Sequence, residues 1–139
     1  MRVTLSDDAR RYIALFEDVT GATARDCLVF DDRVVILVTA GQMGQAIGPD
    51  GRTIGRVEER IGRSVDLVED ADTPEAFVAS ALAPAAVRHV TISEQNDRVA
   101  YAEVPEPDRG VAIGAGGRNI ETARTLARRH YDIDDIQLT

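Results

Sequence analysis

One nine-residue phrase occurs twice in this chain, and this repeat constrains the fold more than any other feature of the sequence. The first copy, AIGPDGRTI, begins at Ala46, and the second, AIGAGGRNI, begins at Ala112. Each copy places Gly-x-x-Gly between two isoleucines and puts an arginine directly after the second glycine. Two copies at matched positions in 139 residues predict a duplicated unit of about half the chain, which is too long for a solenoid repeat.

Hydrophobic periodicity predicts the same order of elements in both halves, namely helix, strand, strand, short helix, Gly-x-x-Gly, helix and strand. Ser6 is the expected N-cap of the first helix and Gly21 its stop, while Pro84 predicts a kink or an early end in an alanine-rich helix. The boundary between the halves gives domains 1–70 and 71–139. The predicted elements cover residues 7–20, 27–30, 33–38, 41–47, 52–61 and 64–68, and then 74–87, 87–92, 98–104, 108–113, 119–131 and 133–138.

The repeated phrase has the chemistry of an anion site. A helix that begins after Gly-x-x-Gly carries amide donors and a partial positive charge at its N-terminus, and glycine allows a ligand to approach the backbone closely. We therefore expect the amides of Gly48–Gly51 and Gly114–Gly117 to accept a phosphate, with Arg52 and Arg118 in reach. The isoleucines are expected to anchor the paired helices in the core and to support a groove: Ile47, Ile54, Ile113 and Ile120.

The sequence does not match the motifs of nucleotide-binding enzymes or of metal sites. A Walker A loop needs a lysine, and all 16 basic residues are arginine. The run from Gly114 to Asn119 begins like a dinucleotide fingerprint, but it ends in asparagine and follows a predicted helix. His89 and His130 lack a ligand pattern around them, and no nucleophile stands beside a base. We expect a protein that is not an enzyme and has no cofactor, metal or small-molecule substrate.

The charge indicates an unusual solvent. The net charge is −8 without a single lysine, which we expect of a protein from a cytoplasm with multimolar salt, where the Debye length is roughly 3 Å. A mesophilic acidic protein that lost lysine by chance is the alternative. One cysteine, Cys27, excludes an internal disulfide and fits a reducing cytoplasm. The sequence contains no run of about 18 apolar residues, so we do not expect a helix that spans a membrane.

Arginines on the two helices that follow the repeated phrase have two interpretations. They contact a nucleic-acid backbone or stack on bases, or they form a solvated face with ion pairs such as Glu121–Arg124. The residues leave both interpretations open. The arginines concerned are Arg52, Arg56, Arg60 and Arg63 in the first half, and Arg118, Arg124, Arg128 and Arg129 in the second.

The order of elements resembles the type II KH domain, a clamp for single-stranded nucleic acid whose GXXG loop holds about four nucleotides. Two such units in tandem resemble the KH pair of the NusA family of transcription factors in its short archaeal form. The stretches 12–27 and 73–85 and the two AIGxxGRxI phrases carry this resemblance. It implies an α+β fold of two tandem type II KH domains, each a three-stranded sheet covered by helices, in the order αββααβ.

The resemblance also implies a function. It implies that the chain binds single-stranded RNA, the nascent transcript, in transcription termination or elongation, with RNA polymerase or other transcription factors as further partners. The family usually carries a basic residue inside the loop, which is missing here. The alternative is a protein-interaction scaffold of the transcription or ribosome machinery with degenerate KH loops. The implied RNA-binding residues are Ile47, Gly48, Pro49, Asp50, Gly51 and Arg52, and Ile113, Gly114, Ala115, Gly116, Gly117 and Arg118.

Overall fold

The computed structural model describes residues 5–139, so residues 1–4 of the predicted first domain lie outside the described part. The chain forms two compact units, residues 5–70 and residues 71–139. Each unit has the order αββααβ, which confirms the predicted fold. The first unit contains α1 (Asp7–Thr20), β1 (Ala24–Val29), β2 (Val34–Val38), α2 (Met43–Ile47), α3 (Arg52–Ile61) and β3 (Val65–Glu69). The second contains α4 (Pro74–Ala81), β4 (His89–Ser93), β5 (Val99–Glu103), α5 (Arg109–Ile113), α6 (Arg118–Tyr131) and β6 (Asp135–Leu138).

Local signals at both ends of α1 are confirmed. The Ser6 hydroxyl accepts a hydrogen bond from the Ala9 amide at 3.1 Å, and Gly21 ends the helix in the left-handed conformation. The buried stripe of this helix includes Tyr12 and Phe16, which pack into the core of the first unit. Val57 of α3 is fully buried in the same core. Periodic apolar residues therefore place α1 and α3 on one face of the first sheet.

Each sheet has three strands and one parallel pair. In the first unit β1 and β2 form an antiparallel hairpin, and β2 pairs with β3 in parallel, with Ile36 opposite Leu67. The second sheet repeats this order as β4-β5-β6, with Ala100 opposite Ile136. A parallel pair needs a crossover connection, and in each unit a short helix, the Gly-x-x-Gly loop and a longer helix supply it. The repeated phrase is thus the centre of each crossover.

In the second unit, α4 and α6 pack against each other. Phe77 of α4 is fully buried and stacks on the Tyr131 ring, with 4.7 Å between ring centroids. The Tyr131 hydroxyl donates to the Ala71 carbonyl at 2.7 Å. The helix expected over 74–87 ends at Ala81, which confirms the early end predicted from Pro84. The proline ring restricts the residue before it, and proline lacks the amide that would continue the helix.

One expectation about the first sheet needs a small correction. Cys27 was expected to begin its strand, but β1 begins at Ala24 and places the buried Cys27 in its middle. Asp31 and Asp32, which lie between the two predicted strands, form the hairpin turn, because the Phe30 amide donates to the Arg33 carbonyl at 2.9 Å and closes it. The earlier start of β1 leaves the pairing unchanged, since β2 is buried over its whole length.

Candidate nucleic-acid interface

The first glycine of each loop has a backbone conformation that only glycine adopts readily. Gly48 has φ 75° and ψ 174°, and Gly114 has φ 79° and ψ 170°. A Cβ at Gly48 would stand 2.7 Å from the Thr53 Cβ, and one at Gly114 would stand 2.8 Å from the Asn119 Cβ. The start of the next helix therefore packs directly on this glycine. This contact holds the start of the following helix against the loop.

The third position of each loop is also left-handed but is open to solvent. Asp50 has φ 53° and ψ 28°, and Gly116 has φ 62° and ψ 17°. Aspartate is one of the few residues that adopt this conformation, through its short polar side chain. A Cβ built on Gly116 meets no heavy atom within 4 Å. Position 116 therefore has room for the aspartate that the first loop already carries.

Fewer loop amides are available to a ligand than the sequence suggested. Both glycine amides of each loop donate to backbone carbonyls, as in the bonds from Gly51 to Gly48 at 3.2 Å and from Gly117 to Gly114 at 3.0 Å. Pro49 has no amide hydrogen. The amides of the outer glycines are therefore used within the backbone, and the expected phosphate contacts are left to the inner positions. The first loop keeps at most one amide for a ligand, from position 50, and the second keeps at most two, from positions 115 and 116.

Two of the four isoleucines are not core anchors. Ile47 and Ile113 are 39% and 41% exposed, whereas the alanine before each of them is fully buried. A helical step of about 100° turns the last residue of each short helix away from the core that the alanine faces. Ile120 is buried and Ile54 is half-buried, so only the second isoleucine of each phrase anchors its helix. Ile47 and Ile113 instead give each loop an exposed apolar border.

The arginines that follow the loops differ in what they contact. Arg52 lies 3.7 Å from the Asp50 carboxylate, and both side chains are largely exposed, so this pair contributes little stability. Arg60 pairs with Asp18 of α1 at 3.5 Å, and Arg63, which lies beyond the end of α3, donates to the Phe30 carbonyl. The first-half set is therefore not one continuous stripe of ligand-facing cations.

A groove of about 500 Å³ opens beside the second loop. One wall consists of Ile113, Gly116 and Gly117 with Ile120 of α6, and the opposite wall is the edge strand β6. The groove thus lies between the loop and a strand edge, and Ile113, Ile120 and Leu138 are its apolar side chains. Its remaining lining residues are Arg109, Glu121, Arg124, Asp135, Gln137 and Leu138.

The sequence analysis did not predict where two residues of this site lie. The Asn119 amide group donates to the Ala112 carbonyl at 3.1 Å, which ties the start of α6 to the end of α5. Arg124 was grouped with the helix arginines, but it lies in the groove. Its spacing of four residues from Ile120 was the available signal, because such residues share a helix face. The pair Glu121–Arg124 expected from the sequence is present at 2.8 Å.

Other kinds of site lack support in the part of the chain that the structure describes. Across residues 5–139 there is no group of three or more His, Cys, Asp or Glu residues placed to hold a metal ion. Within the same range no helix has the length and apolar character needed to span a bilayer.

Comparison with known proteins agrees with this geometry. Residues 74–139 match the family model of the NusA-like second KH domain, and residues 10–73 match that of the KH domain. The solved crystal structure of APE1850 superimposes with a TM-score of 0.84 at 30% sequence identity. That match covers 97% of this chain and 100% of the other.

Relatives of full length share the same family. The probable transcription termination protein NusA of Halococcus morrhuae is 67% identical over 138 residues, which are 99% of each chain. The protein of the same name from Halobacterium salinarum is 63% identical over the full length of both. That of Methanocaldococcus jannaschii is 30% identical over 99% of this chain and 75% of its own length. The chain belongs to the NusA-like family of tandem KH-domain proteins.

Proposed function

We propose that this chain binds single-stranded RNA through its two Gly-x-x-Gly loops and acts in transcription termination or elongation. The observation that carries the proposal is the second loop, where exposed inner residues, a following helix N-terminus and a groove with apolar and charged lining lie together. The loop accepts the phosphodiester backbone and the groove accepts the bases. The relatives' name, probable transcription termination protein, supports a role at the transcript.

The finer parts of the proposal concern place and partners. The RNA is the nascent transcript in the cytoplasm, and RNA polymerase or another transcription factor is the protein partner. The RNA-binding residues are the exposed inner positions of the two loops, with Arg52 and Arg118 beside them. Domains 1–70 and 71–139 each contribute one such site. The proposal contains no chemical step.

The proposed RNA binding has to occur although the chain carries a net negative charge. A net charge of −8 opposes attraction of RNA over long distances, so affinity has to come from contacts at short range. Amides and a helix N-terminus supply such contacts without a basic field. At multimolar salt the repulsion is screened within a few ångströms, whereas hydrogen bonds and base packing remain.

The test is fluorescence anisotropy in high-potassium buffer with short single-stranded RNA. Gly116→Asp adds a carboxylate to the second loop in a conformation that Asp50 already adopts, and Gly116→Asn is the uncharged control of equal size. We expect the wild type and Gly116→Asn to bind and Gly116→Asp to bind several-fold more weakly. Equal binding by a folded Gly116→Asp would contradict the loop assignment. Absence of binding by the wild type would favour the scaffold alternative.

A further inference from the structure

A guanidinium held by three protein groups lies in the groove of the second unit. Arg124 Nη1 is 2.8 Å from Glu121 Oε1, and its Nε is 2.9 Å from Asp135 Oδ1. Nε and Nη2 also donate to the Ile136 carbonyl, at 3.2 and 2.9 Å. Contacts from both α6 and β6 therefore fix the plane of this side chain.

The same contacts occupy part of the strand edge. The Ile136 amide donates to Asp135 Oδ1 at 2.9 Å, and its carbonyl accepts from Arg124. Both backbone polar groups of Ile136 are thus bonded to side chains of the protein. At this point of the groove, the polar group available to a ligand is the guanidinium and not the strand backbone.

The remaining donors of Arg124 can be counted. A guanidinium has five N–H groups, and the contacts above use the one on Nε and one on each Nη. Within the described residues, one N–H on Nη1 and one on Nη2 are not used by these contacts. These two N–H groups lie on the two Nη atoms of one fixed plane, and a pair of donors in that plane matches two adjacent acceptors on a base. Guanine offers such a pair in O6 and N7, and cytosine offers one in N3 and O2, whereas adenine and uracil alternate donors with acceptors.

The charge of this cluster favours a base over a phosphate. Arg124 contacts two carboxylates within 2.9 Å, so the three groups together carry a net negative charge. A phosphate entering there would meet both carboxylates, whereas a neutral base edge carries no net charge to be repelled. The phosphodiester backbone belongs at the exposed loop amides instead.

We propose that Arg124 reads one RNA base in the second groove and selects guanine or cytosine over adenine and uracil. This inference rests on the proposed RNA-binding function. It is specific to the second unit, because the residue at the same distance from the first loop is Glu58. Glu58 accepts from the Val65 amide at 2.9 Å and offers an acceptor where the second unit offers donors.

The experiment measures the anisotropy of RNA decamers that are uridine throughout except for a central CC, GG or AA pair, with all-uridine RNA as reference. We expect the full-length wild type to bind the CC or the GG decamer about tenfold more tightly than the AA and all-uridine decamers. The CC and GG arms show which of the two bases is read. Arg124→Lys keeps the charge but not the planar fork, so it should lose this preference, as should Arg124→Gln.

Controls separate base reading from charge and from folding. Arg128→Gln removes the same charge from an exposed position of α6 outside the groove, and it should leave the order of affinities unchanged. Thermal melting checks that each variant is folded. If Arg124→Gln is unfolded, Asp135→Asn replaces it, since it keeps an oxygen for the Ile136 amide but weakens the hold on the guanidinium. That variant should lower the preference while binding persists.

The outcomes distinguish this inference from the proposed function. Equal wild-type affinity for all four decamers would overturn base selection by Arg124 and leave RNA binding in place. The same holds if a folded Arg124→Gln keeps the wild-type preference. Failure of the wild type to bind any decamer would overturn the proposed function and this inference with it.

Discussion

The first and second Gly-x-x-Gly loops have nearly the same backbone angles at each compared position, and they differ in the side chains of their two inner positions. Both first glycines lie near φ 75–79° with extended ψ, and both third positions are left-handed. The inner pair is Pro49-Asp50 in one loop and Ala115-Gly116 in the other. Proline removes an amide donor and aspartate adds a negative charge, so we expect the first loop to be the poorer phosphate site.

The comparison indicates that the outer positions of the loop fix the fold, and we expect the inner positions to set ligand affinity. The outer glycines are required because the following helix packs on the first of them and the second begins that helix in a left-handed conformation. The inner positions face solvent and accept different residues with the same backbone. Two copies of one unit can therefore diverge in ligand affinity without a change of fold.

The largest effect is expected from the glycine that packs on the next helix. Gly48→Ala should lower the free energy of unfolding by about 3 kcal/mol, since it combines a glycine-only conformation with a Cβ placed 2.7 Å from the Thr53 Cβ. Gly51→Ala is the matched control and should cost about 1 kcal/mol, because it is left-handed but its nearest atom is 3.9 Å away. Urea denaturation measures both. Equal losses would show that backbone angle, and not packing, fixes the first glycine.

The difference in charge between the loops can be exchanged. Asp50→Gly should raise RNA affinity by about fivefold at low salt, because it removes a carboxylate from the phosphate path. The double variant Asp50→Gly with Gly116→Asp moves the charge from one loop to the other and should restore an affinity near that of the wild type. Anisotropy at several potassium concentrations tests this, since the differences should shrink as salt rises. Differences that persist unchanged at molar salt would point to shape instead of charge.

The difference in amide donors can be exchanged as well. Ala115→Pro should weaken RNA binding by about threefold, because it removes one exposed donor where the first loop already has a proline. The preceding glycines share their backbone angles, so the proline should fit without a change of fold. Pro49→Ala is the reciprocal variant and should strengthen binding by a similar factor. A folded Ala115→Pro that binds like the wild type would exclude this amide as a ligand contact.

The smallest effect is expected at an exposed ion pair of the first unit. Asp18→Asn removes the partner of Arg60, and both side chains are more than half exposed. The loss in unfolding free energy should stay below about 0.5 kcal/mol and should vanish in molar salt. Urea denaturation at low and high potassium measures it, with Asp31→Asn in the hairpin turn as the control. A loss above 1 kcal/mol would give this pair a structural role that its exposure does not suggest.

The order of elements and most of their bounds could be predicted because local signals determine them. Ser6 and Gly21 mark the ends of α1, and the apolar spacing of Ile54 and Val57 predicts α3. Which of the four isoleucines face the core could not be predicted as reliably. Ile47 and Ile113 end helices of five residues, which are too short for a periodic pattern to separate the buried side from the exposed one.

The sequence by itself determined the duplication, the αββααβ order and the two loops, because repeats, caps and hydrophobic periods are local properties of the chain. Only the tertiary structure decided which loop amides remain available, since this depends on hydrogen bonds across the turn. It also decided the place of Arg124. That side chain lies in a groove whose second wall, β6, follows α6 in the chain, and its contacts with Asp135 and Ile136 exist only once the crossover has brought that strand beside the helix.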